Sequence, residues 1–276
     1  MADLVAQRIS DLSLQIAFVF GRPRQVLPVK DNGAIGRKRC AGVRAFGALS
    51  RERRDLEEDP RFYRKWELCE TTNPKLVNDI ATACKGADVL ISMSKPGPDV
   101  VKKEWIEVMA DKSIVFVCAN PVPEIYPYAA KEAGAHIVAT GRGDFPNQVN
   151  NSIGFPGILK GALLVRARKI TDNMAIAAAE AIARFSEKRG INSEDIIAKM
   201  DEPEVFPYEA ADVAMQAIKD GVARKEMTWQ EAYDKAKEDI EHARAITKSL
   251  TDNGFIEQPP QDMLKDALQA AIDAVK

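Results

Sequence analysis

Five side-chain amides follow two apolar segments and are the residues best suited to orienting a ligand. They are Asn120, Asn147, Gln148, Asn150 and Asn151. The first directly follows the apolar run 114–119, and the other four lie in a polar loop after the shorter run 136–139. An amide offers both a hydrogen-bond donor and an acceptor without a net charge. Because open α/β sheets bind ligands at the carboxyl ends of parallel strands, this spacing points to a ligand site.

The surrounding pattern predicts the sheet that would position these amides. Apolar runs read as buried strands, and segments of helical spacing separate them. The strands are expected at 15–20, 88–93, 114–119 and 136–139, and the helices at 75–85, 99–110 and 124–133. Strand and helix alternate at short spacing, which is typical of parallel α/β folds. The sequence therefore predicts an α/β fold with a Rossmann-like parallel sheet flanked by helices.

The sequence after Gly157 predicts a helical C-terminal extension. A buried helix is expected over 158–168, because that segment is apolar on most sides. Thr171 is placed to cap the next helix, since a threonine hydroxyl accepts from a free amide of the first turn. Further helices are expected at 208–223, 228–250 and 260–275.

The N-terminal part carries candidate groups for a nucleotide but lacks one common motif. The run 15–20 is followed by Gly21-Arg22-Pro23-Arg24, and the glycine pattern G-x-G-x-x-G occurs nowhere in the chain. Asp31 follows a weak strand at 25–30, where an acidic residue would accept hydrogen bonds from an adenosine ribose; the alternative is a plain turn aspartate. The basic run Arg37–Arg39 is either a contact for a 2′-phosphate or a solvated surface.

Composition excludes several classes of function. The 276 residues carry a net charge of -2, which argues against a nucleic-acid role for the whole protein. Four cysteines show no metal-type spacing and read as reduced thiols of a cytoplasmic protein. No signal peptide is evident and no apolar run reaches the length of a membrane span.

Several long strings resemble the NAD(P)-binding domain of the short bacterial and archaeal malic enzymes. They are ADVLISMSKPG at 87–97, CANPVPEI at 118–125 and ATGRGDFPNQVNNSIGFPGILKGAL at 139–163. The resemblance runs from about Gln25 to Arg224. It implies an oxidoreductase that decarboxylates malate oxidatively to pyruvate and carbon dioxide, with NAD, or else NADP, as cofactor.

The resemblance also implies roles for individual residues. Asn120 is similar to the family's asparagine near the nicotinamide and substrate, and Ser94 to the turn along the cofactor. Asn151 is similar to the asparagine that binds the substrate carboxylate or hydroxyl, and Asp31 to the acidic ribose contact. An amide can orient a carboxamide or a carboxylate. The other loop amides are interpreted as groups that hold loop backbone.

The family's catalytic tyrosine and lysine, and its three carboxylate ligands for Mg²⁺ or Mn²⁺, lie N-terminal to the matching domain. No residue of this sequence corresponds to them, so the resemblance implies no catalytic residue and no metal ligand here, as in a chain truncated at its N-terminus. The expected organisation is an unmatched segment at 1–24, a Rossmann-like domain at 25–190 and a helical region at 191–276 that packs on it.

Further expectations concern partners and alternative functions. Asp31 would repel a 2′-phosphate, which favours NAD over NADP. The family resemblance implies a homodimer acting on malate or pyruvate, with no nucleic-acid or membrane partner. Two alternatives remain open. One is a non-catalytic remnant that binds a nucleotide or a partner subunit; the other is a Rossmann dehydrogenase of amino-acid or folate type, which shares only the α/β pattern.

Overall fold

The computed structural model describes residues 16–20, 40–44, 47–73, 75–257 and 260–275. Asp31, the basic run Arg37–Arg39 and the weak strand expected at 25–30 lie outside these residues. Within these ranges, six strands form one sheet. They are β1 (Ile16–Phe20), β2 (Cys40–Arg44), β3 (Gly47–Ala48), β4 (Val89–Met93), β5 (Ile114–Val117) and β6 (Ile137–Thr140).

The strand order is β3-β2-β1-β4-β5-β6. Strands β2, β1, β4, β5 and β6 pair in parallel, and β3 pairs antiparallel with β2 at one edge. The order reverses at β1, because β2 lies on one side of it and β4 on the other. This arrangement is the doubly wound sheet, so the predicted Rossmann-like α/β fold is confirmed.

Ten α-helices are found among the described residues. They are α1 (Arg54–Glu57), α2 (Tyr63–Thr71), α3 (Ile80–Cys84), α4 (Lys103–Glu107), α5 (Pro127–Glu132), α6 (Phe155–Leu164), α7 (Asp172–Arg189), α8 (Val205–Lys219), α9 (Trp229–Asp252) and α10 (Gln261–Val275). Short 3₁₀ turns at Pro60–Phe62 and Asn151–Ile153 precede α2 and α6. The Thr171 hydroxyl accepts from the Met174 amide at 3.2 Å, as the sequence predicts for the cap of α7.

Clusters of buried apolar side chains hold these elements in place. Leu90, Val115 and Val138 of the sheet are buried against the helices between the strands. Helix α8 packs against α6, α7 and α9 and forms the centre of the helical part, where Val213 and Ala217 are fully buried. Strand β1 belongs to the sheet although it falls within the segment 1–24, and α6 packs on α8 although it falls within 25–190. The domain boundaries themselves stay a prediction.

The helix expected over 75–85 is wrong in its first half, because α3 begins only at Ile80. Asn73 prevents an earlier start. Its side chain accepts from the Val77 amide at 2.8 Å and donates to the Val77 carbonyl at 3.0 Å. Side-chain bonds of this kind compete with helical backbone bonds, and Leu76 has a positive φ of 52°.

The expected burial of the segment 158–168 is also wrong on one face. Helix α6 buries Gly157 and Gly161, but Leu159 and Leu163 are 51% and 74% exposed. Periodicity cannot reveal this, because it does not show which apolar face has a neighbour. Within the described ranges, no helix combines the length and the apolar character needed to cross a membrane.

Candidate active-site edge

The carboxyl ends of β4, β5 and β6 lie side by side and carry the candidate ligand-binding loops. Ser92 of β4 pairs with Val117 of β5, and Val117 pairs with Thr140 of β6. The loops after these strands therefore leave the sheet at one edge, next to the point where the strand order reverses. As the sequence predicts, these strand ends are followed by Ser94, by Asn120 and by the loop that holds Asn147, Gln148, Asn150 and Asn151, called the amide-rich loop below.

Asn120 lies against Gly141 at this edge. The side chain of Asn120 is exposed, and the Asn120–Pro121 peptide bond is cis. A Cβ atom on Gly141 would stand 2.9 Å from the Asn120 Nδ2 atom and 3.3 Å from the Cys118 carbonyl oxygen. Glycine at 141 thus leaves the space that the Asn120 amide occupies.

Asn150 contacts the same glycine from the loop that leads to α6, and Asn151 follows it in the chain. The Asn150 Nδ2 atom donates to the Gly141 carbonyl oxygen at 2.5 Å, and its Oδ1 atom accepts from the Ser152 amide at 3.0 Å. Asn151 begins the 3₁₀ turn before α6 and is exposed. Gly141 therefore connects the loop that carries Asn120 to the loop that carries Asn151.

Asn147 serves the backbone of the loop. It is buried and has a φ of 57°, a value that asparagine tolerates better than most residues. Its Nδ2 atom donates to the Val138 and Ser193 carbonyls at 3.0 and 2.8 Å, and its Oδ1 atom accepts from the Ile196 amide at 2.9 Å. The interpretation of Asn147 and Asn150 as amides that hold loop backbone is confirmed; no contact that tests it is found for Gln148 in the described part of the chain.

Ser94 turns inward, towards a buried carboxylate that the sequence analysis did not single out. The Ser94 amide donates to Glu124 Oε1 at 2.7 Å, and the Ser94 hydroxyl lies 3.1 Å from the same oxygen. Glu124 is fully buried between the ends of β4 and β5. The sequence could have indicated this residue, because Glu124 is the one acidic residue of the run CANPVPEI. A charge among apolar residues after a buried strand needs hydrogen-bond partners.

This edge can be compared with known proteins. The family profile described as "Malic enzyme, NAD binding domain" matches residues 36–219, about two thirds of the chain. The chain belongs to the malic enzyme family. The matched region contains Ser94, Glu124, Asn120, Gly141 and the amide-rich loop, so the edge lies within the family's NAD-binding domain.

Individual malic enzymes agree with this assignment. The chain is 45% identical over 151 residues to the bifunctional malic/malolactic enzyme of Bacillus subtilis, and 40% identical over 194 residues to the NAD-dependent malic enzyme of Geobacillus stearothermophilus. These matches cover 55% and 70% of this chain and only 36% and 39% of those proteins. The family comprises oxidoreductases, and the relatives include both NAD-dependent and NADP-dependent enzymes.

A crystal structure of Entamoeba histolytica malic enzyme is similar to almost the whole chain. The TM-score is 0.87 at 55% sequence identity, over 99% of this chain and 57% of that protein. This malic enzyme chain thus spans little more than half the length of that structural relative.

Arg142 connects two loops of the malic enzyme chain at this edge of the sheet. Its guanidinium pairs with the Asp144 carboxylate and donates to the Pro121 carbonyl at 2.9 Å, which ties the loop after β6 to the loop after β5. The hydrogen bond to Arg142 holds the pKa of Asp144 below its usual range and raises that of Arg142. Arg142 therefore stays positively charged beside the loop that carries Asn120.

Cys118 lies at the edge but is unsuited to nucleophilic chemistry. Burial raises the pKa of its thiol to about 11, so the reactive thiolate is scarce near neutral pH. Burial likewise raises the pKa of Cys84 to about 12. Both thiols are free.

The described residues do not offer a donor set that fits Mg²⁺ or Mn²⁺. No group of three His, Cys, Asp or Glu side chains lies close enough to hold an ion in the part of the chain that the structure describes. These cations prefer several oxygen ligands.

Proposed function

We propose that this chain is the cofactor-binding part of a malic enzyme that converts malate to pyruvate and carbon dioxide by oxidative decarboxylation. The observation that carries the proposal is the meeting of the Asn120 and Asn150–Asn151 loops at Gly141. They meet at the carboxyl ends of β5 and β6, on the β4 side of the strand-order reversal, within the region that matches the family's NAD-binding domain. Reversal points of open α/β sheets are where dinucleotides bind.

The proposed division of roles follows from amide chemistry. NAD, when bound, supplies the acceptor for the hydride removed from malate. Asn120 offers its exposed amide to the nicotinamide carboxamide, with matching donor and acceptor. Asn151 offers its amide to the substrate's carboxylate or hydroxyl from the turn before α6. Ser94 holds the loop after β4, which lies along the cofactor, through its hydrogen bond to Glu124. Asp31 accepts hydrogen bonds from the adenosine ribose.

We propose NAD rather than NADP as the preferred cofactor, because Asp31 would repel a 2′-phosphate. Mg²⁺ or Mn²⁺, if the complete enzyme uses it as the family does, would be held by residues other than those the structure describes. We also propose a cytoplasmic location, which suits a protein in which Cys84 and Cys118 are free thiols.

Dinucleotide binding by the chain is the direct test. Isothermal titration of the purified chain with NAD⁺ and with NADP⁺ is expected to show binding of both, with the lower dissociation constant for NAD⁺. The Gly141→Ala variant is expected to bind NAD⁺ about tenfold more weakly, because its methyl group would displace the Asn120 amide. Absence of NAD⁺ binding to the wild-type chain would overturn the proposed cofactor role.

Gly143→Ala is the matched control, on the same loop. A Cβ there would approach only the end of the flexible Gln148 side chain, at 3.0 Å. NAD⁺ affinity within about twofold of wild type is expected for this variant. Equal affinity of both alanine variants would contradict the role given to Asn120. Turnover of malate with Mn²⁺ and NAD⁺ by the chain alone would exclude the alternative of a non-catalytic remnant.

A homodimer is the proposed oligomeric state. Helices α9 and α10 and the segment between them expose apolar side chains that a second copy would cover: Ile246, Leu250, Phe255, Met263, Leu264, Leu268 and Ile272. Exposed apolar patches of this kind commonly mark protein interfaces. Sedimentation velocity of the full chain is expected to give the mass of a dimer, and Leu268→Glu to shift it to a monomer. A monomeric wild-type chain at micromolar concentration would contradict the proposal.

A further inference from the structure

Glu124 occupies an unusual place, because its carboxylate bonds to the loops after two different strands. Its Oε1 atom accepts from the Ser92 hydroxyl at 2.8 Å and from the Ser94 amide at 2.7 Å, at the end of β4. Its Oε2 atom accepts from the Ala119 amide at 3.0 Å, at the end of β5. The side chain is fully buried, so solvent does not share in these bonds.

The backbone of Glu124 adds a third connection. Its carbonyl oxygen accepts from the Val101 amide at 3.0 Å, on the segment that follows the loop after β4. Both flanks of that loop, at Ser94 and at Val101, are therefore bonded to one residue. Asn120 follows Ala119 directly, so the bond from the Ala119 amide also limits where Asn120 can lie.

Only a carboxylate can make this set of bonds. Its two oxygens both accept and neither donates, whereas an amide of the same size can accept on one atom only. Hydrogen bonds to a carboxylate are also stronger than those to a neutral acceptor. A glutamine at 124 would leave either the Ala119 amide or the Ser94 amide facing an N–H group in a buried space, which is costly.

We propose that Glu124 is a positioning residue that fixes the loop after β4 relative to the loop after β5, and thereby sets where the Asn120 amide meets the cofactor. The inference rests on the proposed function for its last step only. It also gives Ser94 a different role from direct contact. Both the amide and the hydroxyl of Ser94 are engaged by Glu124, so the loop presents Lys95–Gly97, and not Ser94, to the ligand.

Amide hydrogen exchange tests the connection without any cofactor. The Ser94 and Ala119 amides lie beyond the ends of β4 and β5, yet in the wild-type chain both should exchange about as slowly as the neighbouring strands. In Glu124→Gln, at least one of the two should exchange about tenfold faster or more. Rapid exchange of either amide in the wild type, or no change of both in the variant, would overturn the proposal.

Cofactor affinity tests the consequence, with a control for general loss of stability. Ser186→Ala serves this purpose, because Ser186 is buried in α7, bonds the Ile182 carbonyl and the Ala198 amide, and lies in the helical part. We expect Glu124→Gln to weaken NAD⁺ binding about tenfold and Ser186→Ala to leave it within about twofold. If both variants lose affinity in proportion to their lost stability, Glu124 is merely structural and the proposal fails.

The two proposals fail in different ways. A wild-type chain that binds no dinucleotide removes the proposed function, while the exchange of the Ser94 and Ala119 amides still decides whether Glu124 joins the loops. A wild-type chain that binds NAD⁺ and a Glu124→Gln variant that binds it equally well leave the proposed function intact and remove the positioning role.

Discussion

The free energy of unfolding is expected to fall with rising pH because of one residue, and Glu209→Gln is expected to remove that fall. Relative to the variant, the wild-type chain should lose about 1.4 kcal/mol for each pH unit through most of the interval from 4.5 to about 8. Glu209 is fully buried in α8, and neither of its carboxyl oxygens has a hydrogen-bond partner within the described residues.

The environment of Glu209 explains the direction of this effect. Burial raises the pKa of the carboxyl group from 4.5 to about 8, because a charge is poorly solvated there. The backbone amides of Gly157 and Ile158, at the start of α6, oppose the rise. These amides do not reach hydrogen-bonding geometry with the carboxyl group, so the effect of burial on its pKa is larger than theirs. Glu209 therefore stays protonated in the folded chain at neutral pH.

The sign follows from counting protons. Below pH 4.5 the folded and unfolded chains both hold the proton of Glu209, and its contribution does not change with pH. Between 4.5 and about 8 only the folded chain holds it, so unfolding releases a proton and becomes more favourable as pH rises. Above about 8 both states have lost it. The contribution of Glu209 to stability is thus greatest at the acid end of this interval.

Urea unfolding of wild type and variant at several pH values measures the effect. The other titrating groups are common to both proteins, so the difference between their free energies isolates Glu209. Glu187→Gln is the matched control, because Glu187 is exposed on α7 and should follow the wild-type curve. A constant difference between wild type and Glu209→Gln across this interval would show that the carboxyl group is ionised or hydrated in the folded chain.

The sheet could be predicted from the sequence, because its strands are short apolar runs between helical segments. The strand at 15–20 appears as β1, and the runs before Ser94, Asn120 and the amide-rich loop appear as β4, β5 and β6. Helix ends were less predictable. Asn73 bonds its own loop and delays α3, and no propensity shows which of two competing bonds a side chain makes.

The candidate site could be predicted in its location but only partly in its contacts. The amides were expected at strand ends and lie there. The sequence did not indicate, however, that their loops meet at Gly141. Glu124 and Glu209 show why. Both are buried glutamates, but Glu124 accepts hydrogen bonds on both oxygens, whereas Glu209 accepts none from the residues that the structure describes. That difference depends on which backbone amides fold back against each carboxylate.

Gly161 lies where α6 packs tightly against the backbone of α8. A Cβ atom there would stand 2.5 Å from the Ala210 carbonyl oxygen and 2.7 Å from the Val213 Cβ atom. Neither neighbour is the end of a flexible side chain, so the helices themselves would have to separate. Two glycines four residues apart, at 157 and 161, are the sequence signal for such an approach, because positions four apart lie on one helix face.

Gly161→Ala is therefore expected to lower the free energy of unfolding by about 2 kcal/mol. Alanine is the better helix former by about 1 kcal/mol, but overpacking of a buried contact costs roughly 3 kcal/mol when backbone must move. Gly154→Ala is the control, since a Cβ there meets nothing closer than 3.8 Å and its φ of -97° suits alanine. Chemical unfolding of both variants measures the difference. A stability gain in Gly161→Ala would mean that helix propensity decides at this contact and that α6 can move away from α8 freely. The loop carrying Asn151 would then rest on a far less rigid support than these distances indicate.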